Sequence, residues 1–107
     1  MALGVVPTFA QSQSEMNPEA ATNFEVADKQ MNKVYADLIS KIDKESQEKL
    51  KIVQRAWLVY RDAQADLISD FDARGGSMAP MIYEGTRTEL TKTRIENLKK
   101  VAKEYAE

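Results

Sequence analysis

From Ala20 onward the apolar residues of the first part of the chain recur at spacings of four and three: Ala20, Phe24, Ala27, Met31, Val34, Leu38 and Ile42. One face of an α-helix has that period and a strand does not, so the stretch predicts an amphipathic helix, its stripe widened by Tyr35 and Ile39. Asn17-Pro18-Glu19 supplies an N-cap, a proline at the first helical position and an acid beside the positive dipole end. The spacing predicts a helix over about Pro18–Ile42. Asp43-Lys44-Glu45-Ser46 is polar, contains capping residues and is expected to be a short connection. A second stripe, Leu50, Val53, Trp57, Tyr60, Gln64, Leu67 and Phe71, predicts a second helix. It stops at Arg74-Gly75-Gly76, where glycine takes the left-handed C-cap conformation without steric cost. Ser77 to Pro80 opens a third segment, with Pro80 suited to a helix start and Ser77 placed to cap a preliminary turn. Gly85, Thr86, Thr88, Thr91 and Thr93 weaken its first half, and Gly85 is expected to mark a kink or a close helix crossing. Its second half is firm, with Ile95, Leu98, Ala102 and Tyr105 on one face and Val101 beside them.

Three helices of about 25 residues, roughly 37 Å each, joined by short links and bearing one stripe apiece, predict an all-α fold. The expected architecture is an antiparallel up-down-up three-helix bundle with long helices. No β-type alternation competes with it. A chain of 107 residues has room for one domain and one modest core. That domain is expected over residues 17–107. Ahead of it, the apolar run from Ala2 to Ala10 ends in the small–x–small triplet Thr8-Phe9-Ala10 and is followed by polar residues. Residues 1–16 therefore predict a signal-peptide remnant, cut after Ala10 and lacking its basic n-region, plus a disordered N-terminus. No apolar run approaches the roughly 20 residues needed to span a bilayer.

Composition narrows the chemistry. With 15 basic and 17 acidic residues the net charge is −2, so the basic excess of a nucleic-acid binder is missing. The chain has no histidine and no cysteine. That removes zinc sites of the usual ligand set, thiol nucleophiles, imidazole bases and disulfides. No catalytic residue, cofactor or metal is expected.

Two constellations remain. In Gln54–Ala63, Trp57 and Tyr60 are three apart on one helix face and are expected in the core. Arg61 and Asp62 flank that face, as Asp28 and Asn32 flank the first stripe and Arg94 the third. Asp28, Asn32, Arg61, Asp62 and Arg94 are expected to form a polar network that sets helix register, with a polar groove site as the alternative. Further along, Asp62, Asp66 and Asp70 follow at i, i+4 and i+8, near the end of the helix where negative charge opposes the macrodipole. They are a solvated acidic face, a docking stripe for a basic partner, or a carboxylate metal site. The Glu-x-x-His element of di-iron bundles is impossible here. Lys99, Lys100 and Lys103 suit the negative end of the last helix as solvated surface. Gly75-Gly76-Ser77 lacks the lysine of a phosphate-binding loop and is a turn.

The order of these pieces resembles the lysozyme inhibitor LprI N-terminal-like family, an exported bacterial domain of largely unknown function. The residues that carry the resemblance are Ala27-Asp28-Lys29-Gln30-Met31-Asn32 with Tyr35, Gln54-Arg55-Ala56-Trp57, Tyr60-Arg61-Asp62-Ala63, Gly75-Gly76-Ser77, and Leu90-Thr91 with Arg94 and Leu98. The resemblance covers about residues 17–100. It implies a periplasmic or secreted helical domain without catalytic activity, and lysozyme or another basic envelope protein as partner. It also implies a cysteine pair at the positions held here by Ala65 and Thr86, so this chain would hold the hairpin by packing alone. The expected function is a non-enzymatic exported binding protein of the lysozyme-inhibitor type, acting through Asp62, Asp66 and Asp70. The alternative is a structural or assembly module of the envelope, whose Trp-Arg-Asp region only stabilises the bundle.

Overall fold

The computed structural model describes residues 18–106. The capping role expected of Asn17, the cleavage point after Ala10 and the rest of residues 1–16 lie outside the described residues. Three helices account for almost all of the described chain: α1 (Pro18–Ile39), α2 (Lys44–Ala73) and α3 (Ala79–Tyr105). They form an elongated helical bundle of 47 × 25 × 22 Å, with no strand among the described residues.

The first stripe overruns its helix: α1 ends at Ile39 instead of Ile42. Ser40 Oγ donates to the Asp37 carbonyl at 2.7 Å, and the Lys41 N–H donates to the Leu38 carbonyl at 3.0 Å in a tightened last turn. Gln47, from the first turn of α2, donates from Nε2 to the carbonyls of Ile39 and Ile42 at 3.0 and 3.1 Å. One amide thus satisfies two carbonyls that a continuing helix would have used. Ile42 still packs on the core, from the loop.

Asp43 is the N-cap of α2, and its Oδ1 accepts the Ser46 N–H at 2.8 Å. That hydrogen bond holds the Asp43 carboxyl below its ordinary value of 3.8. A depressed folded-state pKa gives stability that is complete above the ordinary carboxylate range and lost as pH falls through the folded value. Asp43→Ala is therefore expected to lower the melting temperature by a few degrees at neutral pH. The gap to the parent should narrow when both are melted in acid below the carboxylate range. An unchanged gap would mean that the carboxylate charge contributes nothing.

At the other end of α2 the helix stops at Ala73, and Gly75 takes the left-handed conformation with φ +67°. Gly76 donates to the Ala73 carbonyl at 2.8 Å. α3 then runs without interruption through Gly85, which is exposed, and a Cβ built there meets nothing within 4 Å. The expected close crossing at Gly85 is thus absent. Glycine there only costs backbone entropy, so Gly85→Ala should raise stability by about 0.5–1 kcal/mol in a urea titration.

α3 is the element that both other helices pack along, while α1 and α2 approach each other much less closely. Its inward stripe is Thr88, Thr91, Ile95 and Leu98, at spacings of three and four. Met31 and Leu38 of α1 meet Ile95 and Leu98 in the fully buried centre, with Val34, Tyr35, Leu50, Trp57 and Leu58 packed around it.

α2 is rotated from the expected register. Its buried residues are Gln54, Arg61, Ala65 and Ser69, whereas Val53, Tyr60, Leu67 and Phe71 of the predicted stripe are exposed. Tyr60 retains 52% of its surface and Phe71 70%, so Tyr60 is not core, and Trp57 sits at the edge of the seam, half-buried. The physical reason is that α2 is apolar on two sides. Periodicity alone does not say which side turns inward, and the inward one is a mixed face of small, polar and apolar residues.

Thr91 has no exposed surface, and its Oγ1 has no hydrogen-bond partner among the described residues. Burying an unpartnered hydroxyl costs free energy that a methyl group of the same shape does not. Thr91→Val is expected to stabilise the fold by about 1 kcal/mol in denaturant titration, and a destabilised variant would show that the hydroxyl is satisfied in solution.

Candidate functional site

Six side chains from all three helices alternate aromatic ring and guanidinium along the bundle. The order is Tyr83, Arg87, Phe24, Arg61, Trp57, Arg94. The Arg87 guanidinium carbon lies 4.8 Å from the Tyr83 ring centre and 3.7 Å from that of Phe24. The Arg61 carbon lies 4.9 Å from Phe24 and 5.5 Å from Trp57, and that of Arg94 5.6 Å from Trp57. All are within the roughly 6 Å over which a ring quadrupole attracts a cation. The helical period makes the ladder. Trp57 and Arg61 are four apart on α2, as are Tyr83 and Arg87 on α3. Arg94 follows Arg87 by seven, and Phe24 is the entry of the α1 stripe.

Carboxylates close the edges of the ladder. Arg61 is almost fully buried; its Nη1 donates to Asp28 Oδ1 at 3.1 Å and its Nε to Asp62 Oδ1 at 2.9 Å. Asp62 also accepts from Arg87 Nη1 at 3.5 Å, so one aspartate joins α2 to α3. Arg87 is held by Glu84 through two hydrogen bonds of 2.7 and 3.2 Å. Burial opposes its charge, but the Glu84 carboxylate, helped by Asp62, outweighs burial and holds the guanidinium above its usual value. Burial raises the Tyr83 phenol, with Arg87 partly offsetting it. Arg94 differs. Its Nε donates to Gln54 Oε1 at 3.0 Å, no carboxylate pairs with it among the described residues, and burial lowers its pKa. Gln54 in turn points Nε2 at Met31 Sδ, 3.6 Å away.

Of the expected polar network, the structure brings Asp28, Arg61 and Asp62 together, with Arg61 at the centre. Arg94 stands one rung away on Trp57 and Gln54, and Asn32 is exposed with no side-chain hydrogen bond among the described residues. Arg87, Glu84 and Tyr83, which the stripe analysis left out, complete the cluster together with Phe24 of the first stripe. The seven-residue spacing of Arg87 and Arg94, matched by Gln54 and Arg61, is the sequence signal that marks them.

The three aspartates of the expected stripe are not alike. Asp62 belongs to the ladder. Asp70 is gripped by Arg74 through bonds of 2.9 and 2.8 Å, which hold its carboxyl below the usual range and raise the Arg74 guanidinium. Asp66 is exposed, and its carboxylate makes no ion pair among the described residues. Beside it a shallow groove of about 350 Å³ is lined by Ala63, Asp66, Leu67, Asp70 and Arg74. A more apolar groove of about 360 Å³, lined by Leu38, Ile42, Leu50, Val101 and Tyr105, lies at the opposite end of the bundle from the Tyr83–Phe24 end of the ladder. Among the described residues no group of three or more acids is placed to hold a metal ion, and no helix is long and apolar enough to cross a membrane. Such an arrangement of paired charges can stabilise and can bind.

The family model described as lysozyme inhibitor LprI matches residues 7–98. A protein of Rhizobium meliloti (strain 1021), named uncharacterized protein R02472, is 39% identical over 105 residues, covering 86% of this chain and 75% of the relative. No solved structure matches the chain. The family match spans nearly the whole helical bundle and the relative aligns along most of its length, so the chain belongs to the LprI lysozyme-inhibitor family.

Proposed function

We propose that this protein is an exported, non-catalytic inhibitor that binds a basic lysozyme through the acidic side of α2, centred on Asp66. Family membership carries the lysozyme-inhibitor class. The choice of surface rests on Asp66, the one stripe aspartate whose charge its own chain leaves unpaired among the described residues. Asp70 contributes after Arg74 turns away, because an exposed i,i+4 pair costs little to open. Lysozymes of the common animal type are strongly basic, so opposite charge steers the encounter and its effect weakens with salt. Export fits the apolar run that ends at Ala10.

Asp66→Lys with Asp70→Lys is expected to raise the inhibitor concentration needed for half-inhibition of lysozyme at least about ten-fold, and added salt should weaken the parent in the same direction. The fold should be unaffected, since both side chains lie outside the ladder. Inhibition unchanged by the double substitution, or absent in the parent, sinks the proposal. A second role is supported by the ladder itself: it ties three helices together with a nearly buried arginine at its centre, as expected of a structural module whose Arg61 region holds the bundle. On that view Arg61→Ala lowers stability and leaves partner binding intact in the folded fraction.

A further inference from the structure

The side of α2 that faces away from the bundle is the second apolar face of that helix. Ile52, Val53, Val59, Tyr60, Leu67 and Phe71 are all exposed there, each keeping between 45% and 71% of its surface. At 3.6 residues per turn they fall within about a third of the circumference and run for roughly 28 Å along the helix. Ala56 and Ala63 lie between them, also exposed, so nothing bulky keeps a second helix at a distance. Together the six side chains present roughly 700 Å², more than the few hundred Å² of apolar patch usual on a monomer.

The margin of this strip carries opposite charges at opposite ends. Arg55 and Asp66 are eleven residues apart on the same flank, both exposed, and neither makes an ion pair among the described residues. The other charges along the strip are matched within the helix: Lys49 with Glu45, Lys51 with Glu48, and Arg74 with Asp70. In an antiparallel pair of identical helices, residues on one flank meet the same flank of the other copy in reversed order. The register that sets Arg55 against Asp66 centres the twofold axis near Tyr60. It also brings Val53 within one residue of level with Leu67 of the other copy.

We propose that two copies of this chain associate through the outer face of α2 as an antiparallel homodimer, with Arg55 of each copy paired to Asp66 of the other. The contact is isologous, so one apolar strip is buried twice and both charge pairs form at once. Burying both strips removes roughly 1,400 Å² from water, within the size range of specific protein interfaces. The pairing does not depend on lysozyme binding, although it uses Asp66, so dimer and inhibitor complex compete for that carboxylate.

Sedimentation equilibrium of the full chain over a wide concentration range tests it in the absence of lysozyme. The mass is expected to rise from 12.1 kDa to twice that value. Tyr60→Glu should leave a monomer with unchanged helical circular dichroism, because Tyr60 keeps 52% of its surface exposed. Arg55→Asp and Asp66→Arg each create two like-charge contacts, and each should need at least about ten-fold more protein to associate. Mixing those two variants restores both pairs, so the mixture should form a heterodimer that neither variant forms alone. Arg55→Asp keeps the acidic stripe and should still inhibit lysozyme, which separates this pairing from the inhibitor surface. A parent that stays monomeric throughout, a Tyr60→Glu chain that still doubles its mass, or a mixture that fails to associate overturns the proposal. Monomeric parent together with lysozyme binding lost in Tyr60→Glu would assign the strip to lysozyme instead.

Discussion

Leu98→Ala is expected to remove about 3 kcal/mol of unfolding free energy, a large share of what a bundle of this size has to spare. Leu98 keeps 1% of its surface and sits against Met31, Leu38 and Ile95, which are equally enclosed. Truncation loses the transfer free energy of three carbons and leaves a cavity that helices pinned on both sides of α3 cannot close. At about 4–8 °C per kcal/mol for a domain of this size, the melting temperature should fall by roughly 15 °C. Urea titration should show a lower midpoint with an unchanged slope. Leu67→Ala is the control: the same atoms leave an exposed site, and the monomer should change by less than about 0.5 kcal/mol. Equal losses at the two leucines would contradict the position of the core.

Arg61→Ala should cost a comparable amount, about 2–3 kcal/mol, for a different reason. The side chain is 7% exposed, while its partners Asp28 and Asp62 keep 33% and 45%. Both aspartates can therefore turn to water when the guanidinium is gone, which holds the cost below that of a fully buried pair. What cannot be recovered is the stacking on Phe24 and Trp57 and the space the side chain fills. Arg61→Met keeps much of that volume and should lose about half as much; Arg61→Lys keeps the charge but not the fork that reaches Asp28 and Asp62 together. A double-mutant cycle of Arg61→Ala with Asp28→Ala should give a coupling of about 1 kcal/mol. An Arg61→Ala chain that melts with the parent would show the ladder to be incidental.

The helices were legible from period, and their ends mostly from punctuation. Asp43 and Gly75 do what capping chemistry predicts. Ile42 kept the stripe going after the backbone had turned, because a loop residue can pack on a core as well as a helical one. The rotation of α2 was not legible, since Val53, Tyr60 and Leu67 repeat as regularly as Gln54, Arg61 and Ser69. Choosing between them needs the surface of α3, where Thr88 and Thr91 are buried on the same stripe as Ile95 and Leu98. The same rotation decides the site: it turns Arg61 from a flanking residue into the middle rung of a ladder. The stacking of Arg87 on Phe24 was not legible, because the helices must meet before their side chains stack.

The helix that joins the bundle is the third in chain order. α1 and α2 barely meet except through side chains such as Arg61 and Asp28, and each buries its inner face chiefly on α3. A growing chain that has reached Gly75 therefore has two amphipathic helices and nowhere to dock them. Most helical stability in proteins comes from packing an amphipathic face, so neither helix is fully stabilised until the segment after Ala79 appears. Folding is then a single late event, in which α3 docks both earlier helices at once. That order of synthesis leaves the bundle unassembled until its final third has emerged.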